Sequence, residues 1–202
     1  MASLARAVQQ RLERFYDLPP LPSVDDFAKV ADARGREVVL VREAAEEARL
    51  RHTPGVVEIA VVLPPEGLEE AREPVALDVL CQVVEGVSHF VYLAARILSD
   101  GATTQLELEL QAEVDKFAML AFSPIVEGDR DVTRAIHARL YERVTFLHDR
   151  ETLLGERYRV ANDLAARFCA SVGEDRADAA RTRLLRFYRV GQGEKIRLAR
   201  AA

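Results

Sequence analysis

The sequence predicts an α+β fold that is predominantly α, a helical bundle with a small antiparallel β element near the N-terminus. Two observations predict it. Two runs rich in Val and Ile, 37–43 and 56–63, are flanked by turn residues and are typical of strands. After Pro65, apolar residues recur at helical spacing along nearly all of the remaining chain. Strands followed by a long run of helices indicate segregated β and α parts.

Length and composition favour one domain. The 202 residues are 49% hydrophobic and 30% charged, which is ordinary for a globular chain with one sizeable core. We therefore expect a single domain over 1–202, in which an N-terminal α/β portion (1–73) packs on a helical bundle (74–202).

In the N-terminal portion, residues 3–17 have the apolar spacing of an amphipathic helix, and a proline-rich segment ends it. A capped short helix is predicted over 23–33, where a serine is followed three residues later by an aspartate. The runs 37–43 and 56–63 are expected to pair antiparallel across the loop between them.

The C-terminal portion begins with a long apolar helix over 75–99, which an Asp-Gly turn joins to a helix over 104–122. Thr104 and Glu107 have the spacing of a capping box. Residues 103–110 alternate strictly and also fit a strand, but Leu, Glu and Gln favour helix, and helix is our prediction. The remaining predicted helices cover 131–148, 152–172 and 176–189, and a last one begins at Glu194.

Charge and cysteine content exclude several classes of protein. The net charge of -5 argues against general nucleic-acid binding. Cys81 and Cys169 lie in apolar helical patterns, which predicts buried thiols in a reducing compartment. The N-terminus lacks the apolar core of a secretory signal, and the long apolar helix carries too many polar residues for a bilayer span. We expect a cytoplasmic protein with no membrane segment.

The helix over 75–99 carries a narrow polar stripe on an otherwise apolar surface. At about 100° per residue, the members of the stripe fall within roughly one quarter of the helix wheel. They are Asp78, Gln82, Glu85, His89, Tyr92 and Arg96. A helix this apolar is expected to be buried on its other faces. The stripe is then either its one solvent-exposed face, which is slightly favoured, or a polar seam inside the protein.

The helix over 104–122 supplies Glu109 and Glu113, one helical turn apart. Because a short turn makes the two helices antiparallel neighbours, Glu85 and His89 would face these two carboxylates if the stripe points inward. Three carboxylates and an imidazole are the side chains of a metal site or an acid–base pair. These four residues are our candidate ligand-binding residues. We predict no cofactor, and a divalent metal ion is the alternative left open for these side chains. The alternative is a structural seam of ordinary salt bridges.

A second pattern lies in the predicted helix over 131–148. Arg143 is followed, after four residues, by His148. This spacing resembles the short signature of HEPN ribonucleases, which are helical and act as dimers. The resemblance covers six residues, and it implies RNA cleavage that depends on Arg143 and His148.

No sequence motif specifies a reaction. We therefore predict a non-enzymatic interaction protein, an adaptor or assembly subunit, with a protein partner or a second copy that covers the long apolar helix. The alternatives are a metal-dependent enzyme or ligand binder at the Glu/His seam, and a HEPN-like ribonuclease. Whether the protein is an enzyme stays open at this point.

Overall fold

Helices predominate in the structure, and a small sheet lies near the N-terminal end, which confirms the predicted α+β, predominantly α class. The computed structural model describes residues 2–30, 39–43, 57–70, 75–99, 101–123, 126 and 128–202. The α-helices are α1 (Leu4–Phe15), α2 (Pro65–Leu68), α3 (Leu77–Leu98), α4 (Gln105–Ala121), α5 (Arg130–His137), α6 (Leu153–Gly173), α7 (Ala177–Arg189) and α8 (Gln192–Arg200). Residues 103–110 therefore belong to a helix from Gln105 onward, and the strand alternative is wrong.

The sheet is mixed, with the strand order β1-β3-β2. Its strands are β1 (Ala28–Val30), β2 (Val39–Glu43) and β3 (Val57–Leu63). The β2 and β3 strands pair antiparallel, as predicted, but β1 pairs parallel to β3. The prediction of a purely antiparallel element is therefore wrong.

The β1 strand stands where the sequence predicted a short helix over 23–33. Over the described part of this range, residues 23–30, the helical structure is a single 3₁₀ turn, Val24–Asp26. The chain then extends, and the Phe27 carbonyl accepts a hydrogen bond from the Val61 N–H of β3. A helix of this length is only marginally stable by itself. The extended conformation is more stable here, because it pairs with β3 and packs the Phe27 ring on Phe90, with 5.1 Å between ring centroids.

The α3 helix runs through the centre of the fold. Its middle, from Val83 to Ala94, is almost entirely buried against α1, α4 and β3. It is the one described helix long and apolar enough to cross a membrane, but 61% of that apolar window is buried inside the chain, as in the core helix of a soluble protein. Because the chain covers this helix itself, its apolar surface does not require a second copy.

The predicted helix over 131–148 is wrong in its second half. After α5, a π-helix spans Ala138–Glu142, and the chain is irregular from there to α6. The π-helix turns Tyr141 inward, where its hydroxyl donates to the Glu113 carbonyl at 2.8 Å and contacts the Cys169 sulfur. A π-helix replaces the regular hydrogen bonds of an α-helix with less favourable ones. The buried contacts of Tyr141 compensate for that loss of stability. Helical periodicity cannot predict such a break.

Candidate functional site

The polar stripe of α3 faces α4 along most of its length. Glu85 and His89 lie opposite Glu113 and Glu109, so the antiparallel neighbours have the predicted arrangement. The slight preference for a solvent-exposed stripe is therefore wrong for the part from Glu85 to Arg96. Asp78 and Gln82, in the first turns of the helix, are exposed, and Asp78 pairs with Arg139 at 2.6 Å. We call the set Glu85, His89, Glu109, Glu113 and Lys116 the seam.

Lys116 lies between two carboxylates of the seam. Its Nζ is 2.6 Å from Glu85 Oε2 and 2.8 Å from Glu113 Oε1, and all three side chains are largely buried. Burial by itself lowers the pKa of Lys116, but the two carboxylates outweigh burial and hold that pKa well above its ordinary value. The ammonium group thus stays charged and occupies the place between the carboxylates that a metal ion would take.

The two carboxyl groups beside Lys116 shift in opposite directions. Burial raises the pKa of Glu113, and the charges of Glu85 and Glu109 add to the rise against the opposing effect of Lys116. Burial also acts to raise the pKa of Glu85, but Lys116 and His89 outweigh it and the pKa is lowered. Divergent carboxyl pKa values occur in acid–base pairs. They also arise wherever two acids share one cation, which is the arrangement here.

The other half of the seam is incomplete. His89 is only 5% exposed, and its Nε2 lies 3.5 Å from Glu109 Oε2. Arg157 Nε lies 3.6 Å from the other Glu109 oxygen. Neither His89 Nε2 nor Arg157 Nε has a hydrogen bond within the described part of the chain. Buried polar atoms without a partner are uncommon, so Glu109 lies between two donors that it does not fully satisfy.

The structure brings the four predicted site residues into two pairs, Glu85 with Glu113 across Lys116, and His89 with Glu109. Among the described residues, no group of three or more His, Cys, Asp or Glu side chains is arranged to hold a metal ion. The seam is therefore a largely self-compensated set of charges that joins α3 to α4.

A second buried network, which the sequence analysis missed, surrounds Asp115 on α4. Its carboxylate accepts hydrogen bonds from Tyr16 and Ser88 at 2.5 Å and from Gln111 at 2.8 Å. Burial raises the pKa of Asp115, and these three hydrogen bonds oppose that rise. The available signal was the i, i+4 spacing of Gln111 and Asp115, but the other two donors are Tyr16, directly after α1, and Ser88 on α3.

Lys195 of α8 reaches the same network and is completely buried. Its Nζ donates to the Gln111 side-chain oxygen and lies 4.7 Å and 4.6 Å from the ring centroids of Tyr92 and Phe187. Burial lowers the pKa of Lys195 to about 7, although Asp115 and Glu107 oppose the change. Lys195 thus anchors the last helix in the core. Lysine is rare in this arginine-rich chain, which was the only sequence signal for it.

Glu107 connects the seam helices to the C-terminal part of the chain. Its backbone N–H donates to the Thr104 hydroxyl at 3.1 Å, so one of the two hydrogen bonds of the predicted capping box forms. Its side chain accepts hydrogen bonds from Tyr92 and, at 2.7 Å, from Arg96. Arg96 also donates to the Val190 carbonyl at 3.1 Å. The C-terminal end of the α3 stripe, at Tyr92 and Arg96, therefore has a structural role as well.

Arg143 and His148, the pair that resembles the HEPN signature, lie in the irregular segment before α6 and not on a helix. The His148 ring stacks on Tyr158, with 5.4 Å between centroids, and its carbonyl accepts from Arg159 at 3.1 Å. In the described part of the chain, no hydrogen bond or ion pair joins Arg143 to His148. The helical context that the resemblance implied is therefore absent at this pair.

An open groove of about 600 Å³ lies between α6 and α8, and we call it the α6–α8 groove. Apolar side chains of Val160, Leu164 and Ile196 contribute to it. Its charged residues are Arg150, Arg159, Arg167, Arg200, Glu156 and Asp163. No sequence pattern predicted the groove, because it forms where α8 packs on α6. The available signal was Leu153 seven residues before Val160, a spacing that puts both on one helix face.

No family model, curated protein or solved structure matches this chain. By fold and site, the molecule is a predominantly helical α+β protein with two buried polar networks and an arginine-rimmed surface groove.

Proposed function

We propose that this chain is a non-enzymatic interaction protein, an adaptor or assembly subunit, that docks a protein partner in the α6–α8 groove. The observation that carries the proposal is the combination of this groove with Leu153, which is 86% exposed on the same face of α6 as Val160. Large apolar side chains exposed beside a groove are typical of protein-binding surfaces.

The buried networks support a scaffolding role. Lys116 is compensated by two carboxylates of this chain, and Asp115 is compensated by three hydrogen bonds. Such networks join α3, α4 and α8 and leave the α6–α8 groove as an open concave surface. The two free cysteines, Cys81 and Cys169, fit a protein of the cytoplasm, where thiols stay reduced.

The test is the native size of the protein in extracts of its own host. We expect the wild type to elute with a partner, well above its own 22.6 kDa, and the double variant Leu153→Asp, Val160→Asp to elute as a free chain. Charged side chains at these two positions would be buried without partners in the complex, which costs binding free energy.

Leu98→Asp is the matched control. Leu98 is also largely exposed, at 66%, but it lies at the end of α3 and outside the groove. This variant should retain the partner. A wild type that elutes as a monomer, or a control that loses the partner equally, would contradict docking at the α6–α8 groove.

A second candidate function is divalent-cation binding at the seam. The specific observation is His89 Nε2, buried without a hydrogen bond and 3.5 Å from Glu109 Oε2. This separation is close to the distance between two ligands of one tetrahedral zinc ion, about 3.3 Å from ordinary bond lengths. A bound cation would complete this half of the seam.

Protein purified without chelator or metal-affinity resin tests this candidate. A seam that binds a cation should carry near-stoichiometric metal, and a His89→Ala, Glu109→Ala variant should lose it. Added Zn²⁺ or Mn²⁺ should also raise the melting temperature of the wild type. Metal-free wild type that gains no stability from either ion would exclude a cation site.

A further inference from the structure

We propose that the partner segment in the α6–α8 groove is an acidic amphipathic helix. This inference rests on the proposed function, since it names the chemistry of the partner at the same surface. Three features of the groove carry it: uncompensated positive charge, an apolar floor, and a length that matches a short helix.

The lining of the groove carries four arginines and two carboxylates, Glu156 and Asp163, so its net charge is positive. In the described part of the chain, Arg150 and Arg200 have no hydrogen bond or ion pair. Arg159 donates only to the carbonyls of His148 and Gly155, so no carboxylate neutralises it. Of the four arginines, only Arg167 is paired, with Asp163 at 3.1 Å. An excess of positive charge at one surface of a chain whose net charge is -5 favours an acidic partner.

The shape of the groove favours a helix. The α6 residues that line the groove run from Glu156 to Arg167, about 17 Å at 1.5 Å per residue, which is the length of a helix of about 11 residues. Val160 and Leu164 lie one turn apart along it, and Ile196 of α8 lies opposite. An amphipathic helix places apolar anchors at this spacing and acidic residues along its flanks.

The same features disfavour a nucleic-acid backbone. The apolar floor would find no complementary surface on a sugar–phosphate chain. A second copy of this chain is the remaining occupant to distinguish by experiment, because the protein itself is acidic.

Two fluorescein-labelled peptides of about 15 residues probe the groove. Both carry leucine at positions a and d of a heptad repeat. The other positions are mainly glutamate in the glutamate peptide and mainly lysine in the lysine peptide. Fluorescence anisotropy with the full chain measures their affinities. We expect the glutamate peptide to bind at least about tenfold more tightly than the lysine peptide, and more weakly as salt is raised.

The variant Arg150→Glu, Arg200→Glu should lower the affinity for the glutamate peptide by about tenfold or more, because it reverses the two unpaired charges. Both side chains are exposed, so the fold should be unaffected. Arg189→Glu is the matched control, because Arg189 is an exposed arginine of α7 outside the groove. It should change the affinity by less than about twofold.

Several outcomes would contradict the proposal of an acidic partner. Equal binding of the two peptides would do so, as would an affinity that the double charge reversal does not change. A native complex that Leu153→Asp, Val160→Asp abolishes but Arg150→Glu, Arg200→Glu leaves intact would keep the docking surface and reject its acidic occupant. A dimer seen by light scattering and dissociated by the charge reversal would identify a second copy as the occupant.

Discussion

Replacing Lys116 with Met should lower the free energy of unfolding by about 3–5 kcal/mol at neutral pH, because it leaves two buried carboxyl groups without their shared cation. Glu85 and Glu113 each lie within 2.8 Å of the Lys116 ammonium group, and Glu109 adds further negative charge. Urea denaturation of wild type and variant at pH 7 measures the difference.

Two further variants make the Lys116 result specific. Lys29→Met removes an exposed lysine of β1 and should change stability by less than about 0.5 kcal/mol. Adding Glu85→Gln and Glu113→Gln to Lys116→Met should recover much of the loss, because neutral amides remove the buried charge. A Lys116→Met protein as stable as the wild type would show that the carboxylates do not depend on this cation.

Lys195 should make the protein more stable as the pH rises through neutrality. Its folded pKa of about 7 lies below the ordinary 10.5, so above pH 7 the unfolded chain binds a proton that the folded chain does not. The unfavourable effect of burying this group is complete below pH 7 and diminishes between pH 7 and 10.5. At 1.36 kcal/mol per pKa unit, the wild type should gain about 2 kcal/mol relative to Lys195→Met between pH 6.5 and 8.5.

The comparison with Lys195→Met removes the contribution of other groups, since Asp115, Glu107 and Arg96 surround the site in both proteins. Urea denaturation at several pH values gives the two stability curves. Lys29→Met should follow the wild-type curve. Parallel curves for wild type and Lys195→Met would mean that Lys195 keeps its ordinary pKa in the folded protein.

The two buried lysines show why burial alone does not determine a pKa. Lys116 has two carboxylates within hydrogen-bond distance, and its pKa rises. Lys195 has an uncharged amide and two aromatic rings as its nearest partners, and its pKa falls. Aromatic rings attract a cation, but far less than a paired carboxylate does in a poorly solvated site.

Elements with long, regular periodicity were predicted well from sequence. Helices α3 and α4 lie within two residues of their predicted bounds, and strands β2 and β3 fall inside the predicted runs. The connection between α3 and α4 is short, which predicts antiparallel neighbours, so the facing pairs of the seam followed. These features depend on local sequence, where spacing, caps and turn residues act over a few positions.

The sequence by itself determined the helical bundle, the strand pair and four of the five seam residues, all but Lys116. Only the tertiary structure decided that the stripe of α3 points inward, that β1 joins β3, that a π-helix interrupts the chain at Ala138–Glu142, and that α6 and α8 form a groove. Each of these outcomes depends on contacts between residues far apart in sequence, such as Lys195 with Gln111. Their free energies come from burial and pairing in three dimensions, which local periodicity does not encode.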